Sequence, residues 1–412
     1  MCLFRNKING SSQNDYASYK LIQTVMRYGL AAWMVIWFSA CGRHSDPDLT
    51  IVHPTIPFTF PPATASPQLT APVTHPPPTS TPVPSLTPSF PVPVPSATSR
   101  AIPWTMEIRY APYEFVLAVD WSEDGKYLAV AAGKEVHIYQ ADSLHEVRSL
   151  SIGSWVNSLA FRPLEGQDEF QYLLALGVQD GSIQLWDILA GERLVSQLAH
   201  GKEVKSVAFD LLGDFLVSSG SSPFVRLWDV KRLLSQVTTD QALIAEFLGS
   251  ALVVPGVGFS PDGEWLATID GNAVRLRDGQ TNLLQHTLRA EQSVLSLAFS
   301  PDSQVLAVGE MGNNLHLWDV ESGEFLGVLP QTGGSPQDFY WDLDYSPDGV
   351  FLAAGSSDGW IRLWLVATGQ VKASWIAHPH GVAAISFSPD GKRLVSGGLD
   401  GTIRLWLIPP NR

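Results

Sequence analysis

His378, Ser396 and Asp400 are the residue types of a general base, a nucleophile and an orienting acid, and they stand close together near the C-terminus. Such a set on one surface would carry out acyl transfer. Gly355-Ser356-Ser357-Asp358-Gly359 fits G-x-S-x-G, the pattern of a nucleophile elbow. His378-Pro379-His380 is the one close histidine pair and would supply two metal ligands. Context weakens each of these. An elbow requires a strand-to-helix turn, whereas Gly355–Gly359 separates two strand-like runs. No third ligand stands at a diagnostic spacing from His378 and His380, so no metal is expected. Gly256-Val257-Gly258 lacks the third glycine and the following helix of a phosphate-binding loop, so no cofactor is expected either.

The elements around these residues explain them better. Phe387 to Trp406 reads FSPDGKRLVSGGLDGTIRLW. Ser388-Pro389-Asp390-Gly391 is a turn, with proline setting φ and glycine supplying φ > 0. A short alternating strand follows, then an Asp-Gly hairpin turn at Asp400-Gly401, then a β-branched strand from Thr402 to Trp406. The same paragraph begins at Trp121, Phe161, Phe209, Phe259, Phe299 and Tyr345, which makes seven units. They close at Tyr139, Trp186, Trp228, Arg277, Trp318, Trp364 and Trp406. A strand-rich period of about 40–45 residues ending in Trp-Asp resembles the WD40 repeat. The resemblance covers residues 104–412 and rests on seven in-phase copies.

The resemblance implies an all-β, seven-bladed β-propeller. The chain ends just after the third strand of the seventh unit, and one spare strand, Trp104 to Tyr110, precedes the first. In WD40 propellers the N-terminal strand completes the last blade, so residues 104–110 are expected beside the strand ending at Trp406, closing the ring without a free edge. The family's buried network of His, Ser/Thr, Asp and Trp maps onto His378, Ser396, Asp400 and Trp406. In the third unit His200, Ser218 and Trp228 match, with Ser222 in place of the acid. Asp180 and Asp358 match in the second and sixth units, where Leu176 and Ala354 replace the serine. On this reading the Ser/His/Asp set satisfies a buried indole and a turn instead of doing chemistry. Aromatic residues at the starts of inner strands and at the Asp-Gly turn crowd one face, the family's usual partner face. Trp155, Tyr340, Trp341, Trp360 and His380 are the candidate binding residues there, each with packing against a neighbouring blade as the alternative.

Two units are stretched. Residues 162–172 form a longer acidic loop, and the connection 231–253 is long enough for a short helix. Insertions in repeat proteins map to loops, on a functional face or by drift.

The chain carries 26 basic and 40 acidic residues, a net charge of −14. From residue 104 onward the balance is 20 basic to 37 acidic, so the repeats should repel nucleic acid and anionic lipid. The two cysteines, Cys2 and Cys41, both precede the repeats, which excludes a disulfide framework or thiolate metal site there.

Residues 1–41 resemble an export signal: Arg27, an apolar run from Tyr28 to Phe38, then Ser39-Ala40-Cys41. Small residues before a cysteine resemble the lipobox of bacterial lipoproteins, which implies lipidation at Cys41 and an extracytoplasmic, membrane-anchored protein. Phe38 departs from the commoner aliphatic, and the leader before Arg27 is long, so Met26 is an alternative start to Met1. An uncleaved transmembrane anchor or a buried helix are the other readings. The apolar run falls short of the roughly 20 residues needed to span a bilayer. Residues 42–103 read as a disordered stalk. Seventeen of the 30 prolines lie between Pro47 and Pro103, and no charged residue occurs from Leu49 to Ser99.

The expected function is non-catalytic: a surface-tethered monomeric scaffold for an unknown protein or peptide, with no nucleic acid. The alternatives are a binder of carbohydrate or cell wall through exposed tryptophans, and a propeller enzyme, for which the chain supplies no catalytic constellation.

Overall fold

The computed structural model describes residues 104–109, 114–163, 170–235, 239–249, 253–330, 334–335 and 337–408. The leader with Cys41 and the Pro/Thr/Ser-rich stretch lie outside the described residues. The chain divides into Met1–Val83 and Pro84–Arg412, and every described residue belongs to the second unit.

That unit is a seven-bladed propeller of four-stranded antiparallel sheets. The strands of each blade are named a to d from the axis outward. The inner strands are Val116–Trp121, Val156–Phe161, Val204–Phe209, Val257–Phe259, Val294–Phe299, Tyr340–Tyr345 and Val382–Phe387. In six of them the register shifts between the first and third residues, leaving the second unpaired. Such a bulge re-aims a side chain at the rim of a sheet.

Local chemistry explains the a-to-b turns. In Ser-Pro-Asp-Gly the serine hydroxyl donates to the aspartate two residues on and accepts the N–H five residues on. Ser388 does so with Asp390 at 2.6 Å and Arg393 N at 3.0 Å. Ser260, Ser300 and Ser346 repeat the pattern, as does Ser122 in the Ser-Glu-Asp-Gly turn. The glycine is left-handed, with Gly391 at φ 67°; Ser303 takes that conformation without being glycine, at φ 61°. Blade 3 departs from the pattern: Asp210 itself accepts Phe215 N at 2.8 Å, and Leu211 and Leu212 are exposed.

The core has no single centre. It is seven hydrophobic clusters, one in each seam between neighbouring blades. Each closing Trp or Tyr fills the seam with the preceding blade: Trp406 lies between blades 6 and 7, and Trp228 between blades 2 and 3. Blade 4 closes with Arg277, and its seam with blade 3 holds the smallest cluster. There the Arg277 guanidinium sits 4.8 Å from the Phe247 ring centroid of blade 3.

Blade 7 takes strands a to c from the C-terminal end of the chain and strand d from Trp104–Arg109. That strand pairs antiparallel with Thr402–Leu407, Ile108 opposite Ile403. The ring is closed at the strand the spare-strand count selects.

The stretch after Trp228 holds two short helices, Val230–Leu234 and Thr239–Ala242, before strand d of blade 3. Asp229 caps the first by accepting Arg232 N at 2.9 Å. This c-to-d connection and the a-to-b turns share one face. The b-to-c turns and the starts of the inner strands form the other.

Candidate interaction face and the polar groups beneath it

His378 follows strand d of blade 6 and leads into the inner strand of blade 7; Ser396 lies on strand b and Trp406 on strand c. His378 Nε2 is 2.8 Å from Ser396 Oγ, and Nδ1 is 2.9 Å from Asp400 Oδ1. Trp406 Nε1 donates to Ser396 Oγ at 2.9 Å, and the Thr402 hydroxyl donates to Asp400 at 2.7 Å. Facing a carboxylate, Nδ1 carries a proton. Burial pushes the Asp400 carboxyl upward, but the bonds from His378 and Thr402 and the nearby Arg404 charge outweigh it and hold it below its ordinary value. His378 and Ser396 are both 0% exposed. The serine points at an indole instead of a cleft, so this set ties a turn to a strand.

Blade 3 repeats the design with one change. His200 bridges Ser218 at 3.0 Å and Ser222 at 2.9 Å, and Trp228 Nε1 donates to Ser218. No carboxylate stabilises the imidazolium. Burial, helped by the Arg226 charge, pushes His200 down to about 4, so it is neutral. In blade 2, where Leu176 replaces the serine, Trp186 Nε1 donates to Gln184 Oε1 at 3.0 Å, and Asp180 accepts the Ser182 hydroxyl at 2.6 Å. In blade 6, Trp364 donates to the Pro330 carbonyl, while Asp358 binds the buried Arg362 at 2.6 Å.

Gln184 and Arg362 share one strand-c position. Arg275 fills it in blade 4 and binds the buried Asp270 at 2.6 Å; His316 fills it in blade 5 and faces Glu310. This partner position was not singled out from the sequence. Its signal is a polar residue two before the closing aromatic, inside an otherwise apolar strand.

The G-x-S-x-G segment is a b-to-c turn between Phe351–Ser356 and Trp360–Leu365. Ser357 Oγ accepts Phe339 N at 3.1 Å, a tie from turn to inner strand.

Side chains from one inner strand hold the edge N–H groups of the next. Asp120 accepts Phe161 N at 2.8 Å; Asp342 accepts Ile385 N at 2.8 Å and Asp344 accepts Phe387 N at 2.6 Å. Ser206 likewise accepts Val257 N, while Asn157 and Ser296 reach the following blade as donors, to the Val204 and Tyr340 carbonyls. An inner strand is a sheet edge, and its outward donors need partners. Burial pushes Asp120 and Asp342 up to about 7, and Asp344 well above its ordinary value. The Asp120 charge adds to the shifts of Asp342 and Asp344, so the three carboxylates lie within electrostatic reach of one another. These aspartates were missed in the sequence. Asp120 and Asp344 both stand directly before the aromatic that opens the a-to-b turn, where other units carry Ala, Gly or Ser.

The candidate face residues separate into rim and core. Trp155 and Trp341 are half-buried at the starts of the inner strands of blades 2 and 6. Trp155 lies 5.9 Å from the ring of Phe115 on blade 1, and Trp341 is stacked at 5.6 Å on Phe339. Trp360 is half-buried at the start of strand c of blade 6, its N–H on Asp358. His380 is exposed before the inner strand of blade 7. Tyr340 corrects the expectation: it is 1% exposed and packs edge-on against Trp364 at 5.9 Å, inside the seam between blades 5 and 6. The bulge accounts for the split. Tyr340 is the first, inward residue of its strand, and Trp341 is the second, turned out. Phe115 and Phe339 belong to the rim and were not singled out from the sequence. Blades 6, 7, 1 and 2 are consecutive around the ring, so Phe339, Trp341, His380, Phe115 and Trp155 form an arc at one mouth of the central channel.

Among the described residues no group of three His, Cys, Asp or Glu has metal-binding geometry. No described helix is long and apolar enough to cross a membrane.

The family model "WD domain, G-beta repeat" matches residues 191–229, 282–319, 327–364 and 369–406. Each match runs from strand d of one blade through strands a to c of the next, so the sequence repeat interlocks neighbouring blades. The chain is 26% identical over 217 residues to the WD repeat-containing protein slp1 of Schizosaccharomyces pombe (strain 972 / ATCC 24843), covering 50% of this chain and 41% of that one. It is 27% identical over 134 residues to a serine-threonine kinase receptor-associated protein of Gallus gallus, covering 32% and 36%. It is 28% identical over 157 residues to WD repeat and SOCS box-containing protein 1 of Danio rerio, covering 38% and 26%. The chain thus spans less than half the length of each of these relatives. Four matched repeats set in a closed ring of seven blades place the repeat domain among the WD40-repeat β-propellers.

Proposed function

We propose that the propeller is a non-catalytic platform that binds a protein or peptide across the face of the b-to-c turns, and that lipid on Cys41 tethers it outside the cytoplasmic membrane. The observation that carries the platform reading is the aromatic arc. Half-exposed rings on consecutive blades, held from below by strand and turn hydrogen bonds, are a preorganised apolar surface at low entropic cost. The buried Ser396 and His378 support a structural role for the one set that spells a hydrolase. Similarity to proteins whose names carry receptor association and a SOCS box is in keeping with an interaction role. The tether rests on the Ser39-Ala40-Cys41 sequence and the proline-rich stretch after it.

Two measurements test the reading. Proximity crosslinking from the full chain in its native cell should capture a partner, and Trp155→Ala with Trp341→Ala should abolish capture while the circular dichroism spectrum stays unchanged. Capture insensitive to both substitutions would move the interface off this face. Intact mass and membrane partition should show an N-terminus at a lipidated Cys41, lost with release of the protein in Cys41→Ala. An unprocessed chain still in the membrane fraction would mean a transmembrane anchor instead.

A further inference from the structure

One position of the arc carries no side chain. The residue before each inner strand is Phe339 in blade 6, Phe115 in blade 1 and Trp155 in blade 2, but Gly381 in blade 7. Gly381 is left-handed at φ 115°, and a side chain there would press on the Ser357 carbonyl and Leu399. Between Phe339 and Phe115, blade 7 therefore presents no side chain at this position, and its exposed ring is His380, one residue earlier. Asp342 and Asp344 reach the inner strand of blade 7 from blade 6, and Asp120 stands on blade 1, the blade on the other side, with its carboxylate on Phe161 N of blade 2. Asp342 follows Trp341 directly in the inner strand of blade 6.

Among the described residues no cation is paired with these carboxylates. Their hydrogen bonds come from backbone N–H groups: Trp121 and Phe161 for Asp120, Leu343 and Ile385 for Asp342, Phe387 and Tyr345 for Asp344. The charges they face are one another, and none of the causes acting on them is a cation. Among the described inner-strand residues Lys205 is the one cation, and it is paired with Glu203 at 2.9 Å. Among the described residues of the inner-strand starts and b-to-c turns of blades 6, 7, 1 and 2, Asp358 and Asp400 are paired within the fold, and Glu114, Asp180, Asp338 and Asp342 are set against a single exposed cation, Lys134. An enclosed carboxylate without a counter-charge is costly, and its unused lone pairs can still accept. Aromatic faces likewise favour a cation.

We propose that this mouth receives a lysine or arginine side chain from an extended segment of the partner protein, the rings of Trp341, Phe339, Phe115 and Trp155 holding the segment and Asp342, backed by Asp120 and Asp344, accepting the cation. This names the partner chemistry of the platform proposed above and rests on that reading. The segment crosses at Gly381, which carries no side chain, beside the exposed imidazole of His380.

The test uses the full chain and fluorescein-labelled peptides of one Gly/Ser/Leu/Thr host sequence whose central residue is Lys, Arg, norleucine or Glu, read by polarisation. Lys and Arg peptides should bind at least about tenfold more tightly than norleucine, with Glu weakest. Asp342→Asn should erase the preference for Lys and Arg, and Trp341→Ala should weaken every peptide. Asp120→Asn, on a different blade, gives a second reading should Asp342→Asn fail to fold. Norleucine binding as tightly as Lys, with both lost in Trp341→Ala, would overturn the cation site and leave the platform standing. Binding of no peptide would overturn the cation site, and the platform would fall with it only if partner capture also ignored Trp155→Ala and Trp341→Ala.

Discussion

A single buried hydroxyl shows how side chains hold the blades. Ser396 Oγ accepts the Trp406 indole and meets His378 Nε2, so removing it orphans two buried groups. Ser396→Ala should cost about 1–3 kcal/mol, read as a lower urea midpoint. Ser218→Ala in blade 3 should behave alike, since Ser218 serves Trp228 and His200 in the same way. Equal midpoints for wild type and Ser396→Ala would mean the network contributes nothing to stability. The channel aspartates make the opposite kind of contribution. Their folded pKa values lie above those of an unfolded chain, so their stabilising share is greatest at low pH and is lost as pH rises toward about 7. Asn at position 120 still accepts the Phe161 N–H but cannot ionise. The melting temperature of Asp120→Asn relative to wild type should therefore be higher at pH 8 than at pH 4.5, by an amount worth about 1–4 kcal/mol. A difference that does not change with pH would show that Asp120 titrates normally.

At the scale of elements, closure and seams decide. Strand d of blade 7 is the N-terminal strand, and without it Thr402–Leu407 becomes an unpaired edge with Leu407 already exposed. Deleting residues 104–109 should lower the melting temperature and yield oligomers on size-exclusion chromatography. A monomer of unchanged stability would show that this strand is dispensable. The seam between blades 3 and 4 is the thinnest because Arg277 stands where other blades place Trp or Tyr. Burial, with Arg275 nearby, lowers the Arg277 pKa, and its Nε has no hydrogen-bond partner. Arg277→Trp should raise the melting temperature by a few degrees, worth about 1–2 kcal/mol. A lower value would show that the seam is already full.

At the scale of the whole molecule the ring is as strong as its weakest seam. Stability is a sum over seven similar interfaces, as in other repeat architectures. Native-state hydrogen exchange should therefore open first around Val257–Phe259, an inner strand of three residues preceded by Gly256 and with Gly258 at its centre. Uniform exchange around the ring would argue for a single cooperative unit. The two faces also divide the labour. The two short helices of blade 3, the Ser-Pro-Asp-Gly turns and the exposed Leu211–Leu212 pair lie on one, and the aromatic arc on the other.

Blade number was legible in the chain, because it is written in a local period: a turn every half-repeat and alternation within each strand. The closing strand and the partners of Trp406 followed from the resemblance to WD40 repeats, onto whose pattern residues 104–110 and His378, Ser396 and Asp400 map. What the tertiary structure decided was orientation across the seams. Tyr340 and Trp341 are neighbours of similar chemistry, yet a bulge buries one and exposes the other. Asp120, Asp342 and Asp344 lie up to 224 residues apart and meet only because the ring brings blade 6 within one blade of blade 1. A sequence states what each strand carries; only ring closure determines which side chains share the axis.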